Sequence, residues 1–385
     1  MGPTEADPTR APKALLGACC VGPADSGRSV AMVRSAHEAQ FREEAAEVTS
    51  YRCVLATRRG GPEVLEVIER ELRAPRPDEI RVRVQAASVS LVDVQARQGR
   101  GPFQQKATFV PGYAVVGQVD ALGDEVAGFA PGDRVAVLTE INGYAEYVYV
   151  RRNPILRIPE LVDAAAAVTL VLNYLVAYQV LHRRSRVQAG DRVLIVGAGG
   201  GIGTALCELG QLAGLVMYGV DSAAKHHVLT RYGVIPIDLR TDNLAAAVRR
   251  AEPNGFDAVF DGVGGDYVDT ALSALRPGGV LVEYANPLSK RGLLRLLARK
   301  AALRLAGGGR RLKLYGTNTW RYDRRPLLQD WRALFTMLAE DQISPVVART
   351  FPLNEAAAAN ALLEGGTVIG NLVLLPERGG LPAKP

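Results

Sequence analysis

Val193-Leu-Ile-Val-Gly-Ala-Gly-Gly-Gly-Ile-Gly-Thr-Ala-Leu206 divides into three pieces. Val193 to Val196 is a short apolar run of the kind that forms a strand buried on both faces of a parallel sheet. Glycines follow at 197, 199, 200, 201 and 203, and Thr204 to Leu215 reads as a helix with Ala205, Leu209 and Leu212 on one face. Strand, glycine turn and helix together make a unit suited to a dinucleotide. Glycine lets the backbone approach a pyrophosphate, and the helix N-terminus presents N–H groups and the positive end of a dipole. The strict G-x-G-x-x-G spacing fails because position 202 is Ile; the spacing present is G-x-x-G-x-x-G, at Gly197, Gly200 and Gly203. A flexible turn in any α/β protein would look the same, so the assignment of Gly197, Gly200, Gly201, Ile202 and Gly203 to a ligand depends on context. A side chain at Gly200 or Gly203 is expected to block the ligand while leaving the fold.

The context agrees. Leu215-Val-Met-Tyr-Gly-Val220 reads as the next strand and Asp221 follows it, about 20 residues on, where the fingerprint places an acidic residue. Val234 to Ile237, Phe256 to Phe260 and Gly279 to Tyr284 read as further strands, with helices over Leu244–Arg250 and Tyr267–Leu275 between them. This alternation predicts a doubly wound parallel sheet of the α/β class. Val263 and Gly264, in Asp261-Gly-Val-Gly-Gly265, end one strand and Tyr284, Ala285 and Asn286 end another, so both groups are expected to flank the cofactor.

The chain before this unit is different. Tyr51–Leu55 and Val64–Glu71 read as a hairpin split by Arg59-Gly-Gly-Pro62. Glu79-Ile-Arg-Val-Arg-Val-Gln85 alternates apolar and polar residues as a half-buried strand does. Ser88–Gly99 turns into a short helix, and further strands fall in Val110–Gly123, Gly132–Val137 and Gly143–Val150. So many short β segments predict a compact, barrel-like β domain. Asp163 to Leu181 bridges into the nucleotide unit. Ala164–Leu181 is mostly apolar but carries Thr169, Asn173, Tyr174 and Gln179, so it reads as a buried helix at a domain junction rather than a membrane span.

A length of 385 residues suits two domains, and a hydrophobic content of 48% suits a substantial core. The net charge of +6 is spread out; it does not point to nucleic acid, and anionic cofactor phosphates are a sufficient partner. The four cysteines, Cys19, Cys20, Cys53 and Cys207, form no C-x-x-C pair, so neither a disulfide framework nor a structural zinc site is expected, and free thiols fit the cytoplasm. Residues 1–50 lack a convincing signal peptide and read as a poorly ordered extension. Lys290 to Leu305 reads as a basic amphipathic helix with Leu294, Leu297 and Ala301 on one stripe. It is expected to cover the cleft or a dimer face; the alternative is an anionic membrane surface.

Five ordered motifs now carry a resemblance: Pro111-Gly-Tyr-Ala-Val-Val-Gly117, Gly132-Asp-Arg-Val135, Gly143-Tyr-Ala-Glu-Tyr147, the glycine turn, and Arg276-Pro-Gly-Gly279. In this order the chain resembles the medium-chain dehydrogenase/reductase superfamily, and within it the zinc-independent quinone oxidoreductase branch, over residues 51 to 377. The resemblance implies a GroES-like β domain over 51–175 and a Rossmann domain over 176–324. It also implies a return segment over 325–378, a cleft between the domains, and a homodimer. Zinc-dependent members place Cys, His-Glu and a later His or Cys on the metal. Here Ser90 stands at the first position, Tyr113 and Ala114 at the second, and the third falls near Leu172. Zinc needs N, S or carboxylate donors, so no metal is expected.

Chemistry then rests with a nicotinamide cofactor, which donates hydride, while the protein supplies orientation and electrostatics. The substrate implied is a quinone or an α,β-unsaturated carbonyl. Ser90, Asp93 and Tyr113 lie where relatives line the catalytic pocket, with Tyr113 a candidate proton donor; Asp93 reads equally as a helix cap, and Tyr113 as a packed aromatic. Asp221 suits a ribose hydroxyl and NADH. The loop Gly219-Val-Asp-Ser-Ala-Ala-Lys225 resembles the family's NADPH loop, in which Ser222 and Lys225 contact the 2′-phosphate, with Arg240 nearby; cationic donors outnumber the carboxylate, which favours NADPH. Tyr284, Ala285 and Asn286 would flank the nicotinamide ribose, and Asn371 takes a position where relatives often have Lys. The rival expectation is a nucleotide-binding protein without efficient turnover that acts as a binding or regulatory partner.

Overall fold

The computed structural model describes residues 49–100, 108–285, 290–305 and 307–376. Residues 1–48 and Asn286 lie outside these, and with them Cys19, Cys20 and the expectations for the N-terminal extension.

The chain enters through the antiparallel pair β1 (Ser50–Ala56) and β2 (Leu65–Glu71), in the register Tyr51↔Arg70. Next come β3 (Ile80–Val89), β4 (Ala114–Leu122), β5 (Arg134–Leu138), β6 (Tyr147–Val150) and β7 (Ile155–Arg157). Alternation sets their faces: Val82 and Val84 of β3 are buried, while Arg81 pairs with Asp120 and Arg83 reaches Gln118 on β4. The strand expected over Gly143–Val150 forms only from Tyr147. Two strands from the far end of the chain, β14 (Val347–Pro352) and β15 (Asn371–Leu375), complete this sheet in the order β14-β15-β3-β4-β5-β7, with β6 also on β3. β15 lies antiparallel to β3 with Leu372 opposite Val89.

The second sheet holds β8 (Arg192–Val196), β9 (Val216–Asp221), β10 (Ile235–Asp238), β11 (Phe256–Asp261), β12 (Leu275–Glu283) and β13 (Arg311–Leu314), all parallel, in the order β10-β9-β8-β11-β12-β13. Counted from β8 this is the doubly wound order 3-2-1-4-5-6. The winding reverses between β8 and β11, which opens a crevice beyond their carboxyl ends. The expected strands are present. β13 is an addition, since Arg311-Leu-Lys-Leu314 is too short and basic to stand out in the sequence.

Helix Ala164–Ser185 joins the sheets. By length and composition it is apolar enough to cross a membrane, yet its apolar window is 83% buried inside the protein. One continuous core runs from Val116 and Leu138 of the first sheet, through Leu170 and Leu175 of this helix, to Ile195 and Phe260 of the second. Two stretches of the helix, Leu170–Tyr174 and Gln179–Ser185, are π-helical. Helix Arg325–Ala339 packs across it, with the buried Trp331 donating its Nε1–H to Val171 O at 3.2 Å. On helix Lys290–Leu305 the stripe noted in the sequence faces solvent, with Leu294 64% and Leu297 45% exposed; Leu296 packs inward instead, at 7%.

Candidate functional site

The glycine turn leaves β8 with Gly197 at φ +81°, a left-handed conformation that favours glycine. Helix Gly201–Leu212 begins at once, earlier than the sequence suggested, with Gly200 as its N-cap. Its first N–H groups have no intrahelical acceptor and point into the crevice end of the sheet. Two of the glycines differ in role. A Cβ at Gly203 would sit 2.3 Å from Gly197 O, against backbone, whereas one at Gly200 would meet nothing nearer than 3.5 Å. Gly203 therefore serves helix–strand packing, whereas Gly200 is not required by packing. At Gly201 a Cβ would meet Asn173 Nδ2 at 2.5 Å and Asn371 Oδ1 at 2.7 Å. Those two amides are bonded to each other at 2.5 Å, and Asn371 Nδ2 donates to Val346 O at 2.9 Å. Asn371 thus buttresses the turn through Asn173, a residue the sequence reading did not assign to the site. Ile202 is half-buried against the main core.

Asp221, at the end of β9, is a hub. Its Oδ2 accepts from Gly199 N–H at 2.8 Å and its Oδ1 from Ser222 N–H at 2.8 Å. Lys225 Nζ lies 3.6 Å from the same carboxylate, and both side chains are 10% exposed. Lys225 is therefore engaged by Asp221 rather than held open for a phosphate, and Ser222 enters through its backbone. Arg240 is exposed, two residues past β10.

The ends of β11 and β12 form the other wall. Asp261 Oδ1 accepts from the N–H groups of Val263 and Gly264, each at 2.9 Å. Glu283 Oε1 accepts from Ala285 N–H at 3.1 Å. Tyr284 is half-buried beside this wall, with its ring where a Cβ on Gly262 would fall, 2.6 Å away. Burial and the nearby Asp261 carboxylate hold its phenol well above the usual range. Asp261 and Glu283 were not singled out in the sequence; the signal was two acids ending consecutive apolar strands.

The expected catalytic trio divides. Ser90 caps helix Leu91–Arg97, and Asp93 at its third position completes a capping box. Ser90 Oγ donates to Asp93 Oδ2 at 2.5 Å, and Gly112 N–H donates to Asp93 Oδ1 at 2.9 Å. Asp93 is buried, and burial pushes its carboxyl up to about 6 against the pull of Ser90 and Gly112. Both polar groups are thus bonded within the fold, in the helix-cap arrangement that was the alternative for Asp93, and the bond to Gly112 fixes the turn that carries Tyr113. Tyr113 hydrogen-bonds Thr317 Oγ1 at 2.9 Å, and burial raises its phenol to about 12. Thr317 follows β13, the strand missed in the sequence, and was missed with it. Of the residues at the zinc-ligand motif positions, Leu172 is buried and Ala114 lies within β4. Among the described residues no three His, Cys, Asp or Glu side chains converge as a metal site would require.

Comparison with known proteins agrees with this architecture. Residues 76–160 match the family described as alcohol dehydrogenase GroES-like domain, and residues 234–374 the family described as zinc-binding dehydrogenase. The human synaptic vesicle membrane protein VAT-1 homolog-like is 30% identical over 61% of this chain and 56% of its own length. The chain thus spans little more than half of that relative. A quinone oxidoreductase of Pseudomonas aeruginosa is 28% identical over 82% of this chain and 97% of its own. Among solved structures, a probable oxidoreductase from Mycobacterium abscessus is 30% identical with a TM-score of 0.72, covering 85% of this chain and 99% of its own. A mycobacterial protein solved in complex with NADPH is 25% identical with a TM-score of 0.74, covering 85% of this chain and 100% of its own.

Proposed function

The chain belongs to the medium-chain dehydrogenase/reductase superfamily, alongside its quinone oxidoreductases, and from that premise we propose a zinc-independent reductase that uses NADPH, with NADH as the alternative, to reduce a quinone or an α,β-unsaturated carbonyl. The observation that carries the reading is the glycine turn at the reversal between β8 and β11, opening onto the free N-terminus of helix Gly201–Leu212. The close backbone approach at Gly200 fits a dinucleotide pyrophosphate: a Cβ there would meet Gly197 O at 3.5 Å, an ordinary contact, so the fold itself does not require glycine at that position. The relative solved with NADPH supports that choice of cofactor.

A bound nicotinamide supplies hydride, and the chain's own residues do the rest. Backbone N–H groups from Gly201 onward receive the pyrophosphate. Asp221 and Lys225 face the adenosine end, where Lys225 must turn from Asp221 to meet a 2′-phosphate. Val263–Gly264 and Tyr284–Ala285 wall the nicotinamide end. Asp93 and Ser90 hold the turn bearing Tyr113, whose hydroxyl keeps its proton at neutral pH and offers a hydrogen bond together with Thr317. Quinones and enones spread the charge of an added hydride by conjugation, so the reaction asks for no Lewis acid; the residues at the zinc motif, Ser90, Tyr113, Ala114 and Leu172, include no strong ligand.

Steady-state assays with quinone and enone panels against both cofactors test the reading. Oxidation above background with at least one class is expected. Tight NADPH binding with no oxidation across the panels would overturn it in favour of a nucleotide-binding protein without efficient turnover. That second reading draws on the internal bonding of Ser90 and Asp93, which leaves few polar groups for a substrate.

A further inference from the structure

Asp261 and Glu283 are opposite each other on neighbouring parallel strands, at the carboxyl end of the sheet. Asp261 is fully buried and Glu283 is 2% exposed. One oxygen of each is spent on loop N–H groups: Asp261 Oδ1 on Val263 and Gly264, Glu283 Oε1 on Ala285. The other two, Asp261 Oδ2 and Glu283 Oε2, are buried without a hydrogen-bond partner. As a register pair on adjacent strands, the two side chains leave the sheet on the same face, side by side.

Among the described residues the surroundings offer no counter-charge. β8 brings Val196 beside Asp261, and β13 brings Leu314 beside Glu283. Lys313, one residue earlier, gives its ammonium to Arg184 O. Tyr315 donates its N–H to the backbone of Glu283 and its hydroxyl to Gln179. Tyr284 and, from helix Gly201–Leu212, Cys207 are the remaining titratable neighbours among the described residues; burial raises both, so both are neutral. Two bare carboxylates in such a place would repel each other with nothing to balance them, and each would carry an unsatisfied oxygen. A single proton between the two orphaned oxygens removes both faults.

We propose that Asp261 and Glu283 form a one-proton dyad that positions the loops Val263–Gly264 and Tyr284–Ala285 for the cofactor. One shared proton ties the strand ends together, and the two outer oxygens hold the loops from below. Loss of the proton sets a second negative charge beneath loops assigned to an anionic ligand, and parts the strand ends. Burial, then the Asp261 charge, raise Glu283 to about 9, so the dyad keeps its proton at neutral pH. The role toward the cofactor rests on the function proposed above; the proton itself does not.

The sign of the pH dependence follows. A carboxyl that titrates higher folded than unfolded holds its proton only in the folded state, between the ordinary glutamate range and about 9, so stability falls as pH rises through that window. Glu283→Gln keeps the geometry: its amide N–H donates to Asp261 and its carbonyl accepts from Ala285, with no proton to lose. Thermal unfolding of the full chain without nucleotide, from pH 5 to 9, is the first measurement. The melting temperature of Glu283→Gln should rise relative to wild type, with the gap widening steadily towards pH 9. Parallel curves overturn the dyad. Asp261→Asn serves as a second variant, and it too should flatten the slope by removing the like charge. The second measurement titrates NADPH and NADH from pH 7 to 10. Wild-type affinity should fall about tenfold, the loss expected one unit beyond a titrating group, and Glu283→Gln should change by less than about twofold. An equal fall in both proteins overturns the positioning role. If neither protein binds nucleotide at any pH, the cofactor role fails with the proposed function, while the unfolding curves still decide the proton.

Discussion

The Asp221 carboxylate accepts from Gly199 and pairs with Lys225, so one side chain occupies both the glycine turn and the nearest cation. On the proposed reading, selectivity between cofactors depends on how readily Lys225 leaves Asp221. Lys225→Ala should weaken NADPH about 10- to 150-fold more than NADH, the loss of one charge-assisted phosphate contact of roughly 1.5–3 kcal/mol. Asp221→Ala should shift preference towards NADPH. Isothermal titration of both cofactors checks this; a wild type that prefers NADH by a ratio unchanged in Lys225→Ala would assign Asp221 to a ribose hydroxyl. A second residue-scale outcome concerns Asp93. Asp93→Ala removes a capping box and strands Gly112 N–H, so it should lower unfolding free energy by about 1–3 kcal/mol in denaturant titration. Stability equal to wild type would show that the bonds of Asp93 contribute nothing. The type of residue at these positions was legible in the sequence. The partners were not, because Gly112 and Gly199 are recruited by tertiary folding across 19 and 22 positions.

Strand, turn and helix of the nucleotide unit could be read from the chain because a buried parallel strand is continuously apolar and a left-handed turn favours glycine. The roles of individual glycines within it could not. Spacing alone treats Gly200 and Gly203 alike; the structure separates them by their distances to backbone. Gly200→Val should abolish nucleotide binding with an almost unchanged melting temperature. Gly203→Val should lower the melting temperature sharply or prevent soluble expression, contrary to the sequence expectation that both spare the fold. Circular dichroism with fluorescence titration separates the cases, and a stable Gly203→Val that binds nucleotide normally would refute the packing role. The two π-helical stretches of Ala164–Ser185 left no mark in the sequence either; Asn173 and Gln179, which lie in them, bond to partners on other elements.

At the scale of the molecule, helix Ala164–Ser185 joins two sheets into one core, and the zinc motif positions hold Ser90, Tyr113, Ala114 and Leu172. Elemental analysis of the purified protein should find no stoichiometric zinc. About one zinc per chain, removable only with loss of activity, would overturn the zinc-independent reading. Strand β13 ends the second sheet, with no neighbour on its outer side among the described residues. An open edge of this kind invites pairing with a second chain. Light scattering at micromolar concentration should therefore give a dimer mass, and a monomer would refute it. The pairing of β15 with β3 also has a consequence for how the protein is born. The partners are separated by about 280 residues, so the first sheet keeps an open seam until those residues have been made, and closing a loop that long slows folding. Gly370, one residue before β15, bridges Gly200 and donates to Gly199 O. The glycine turn is thus completed by a segment made about 170 residues after it, and on the proposed reading a nascent chain gains no help from its ligand until then.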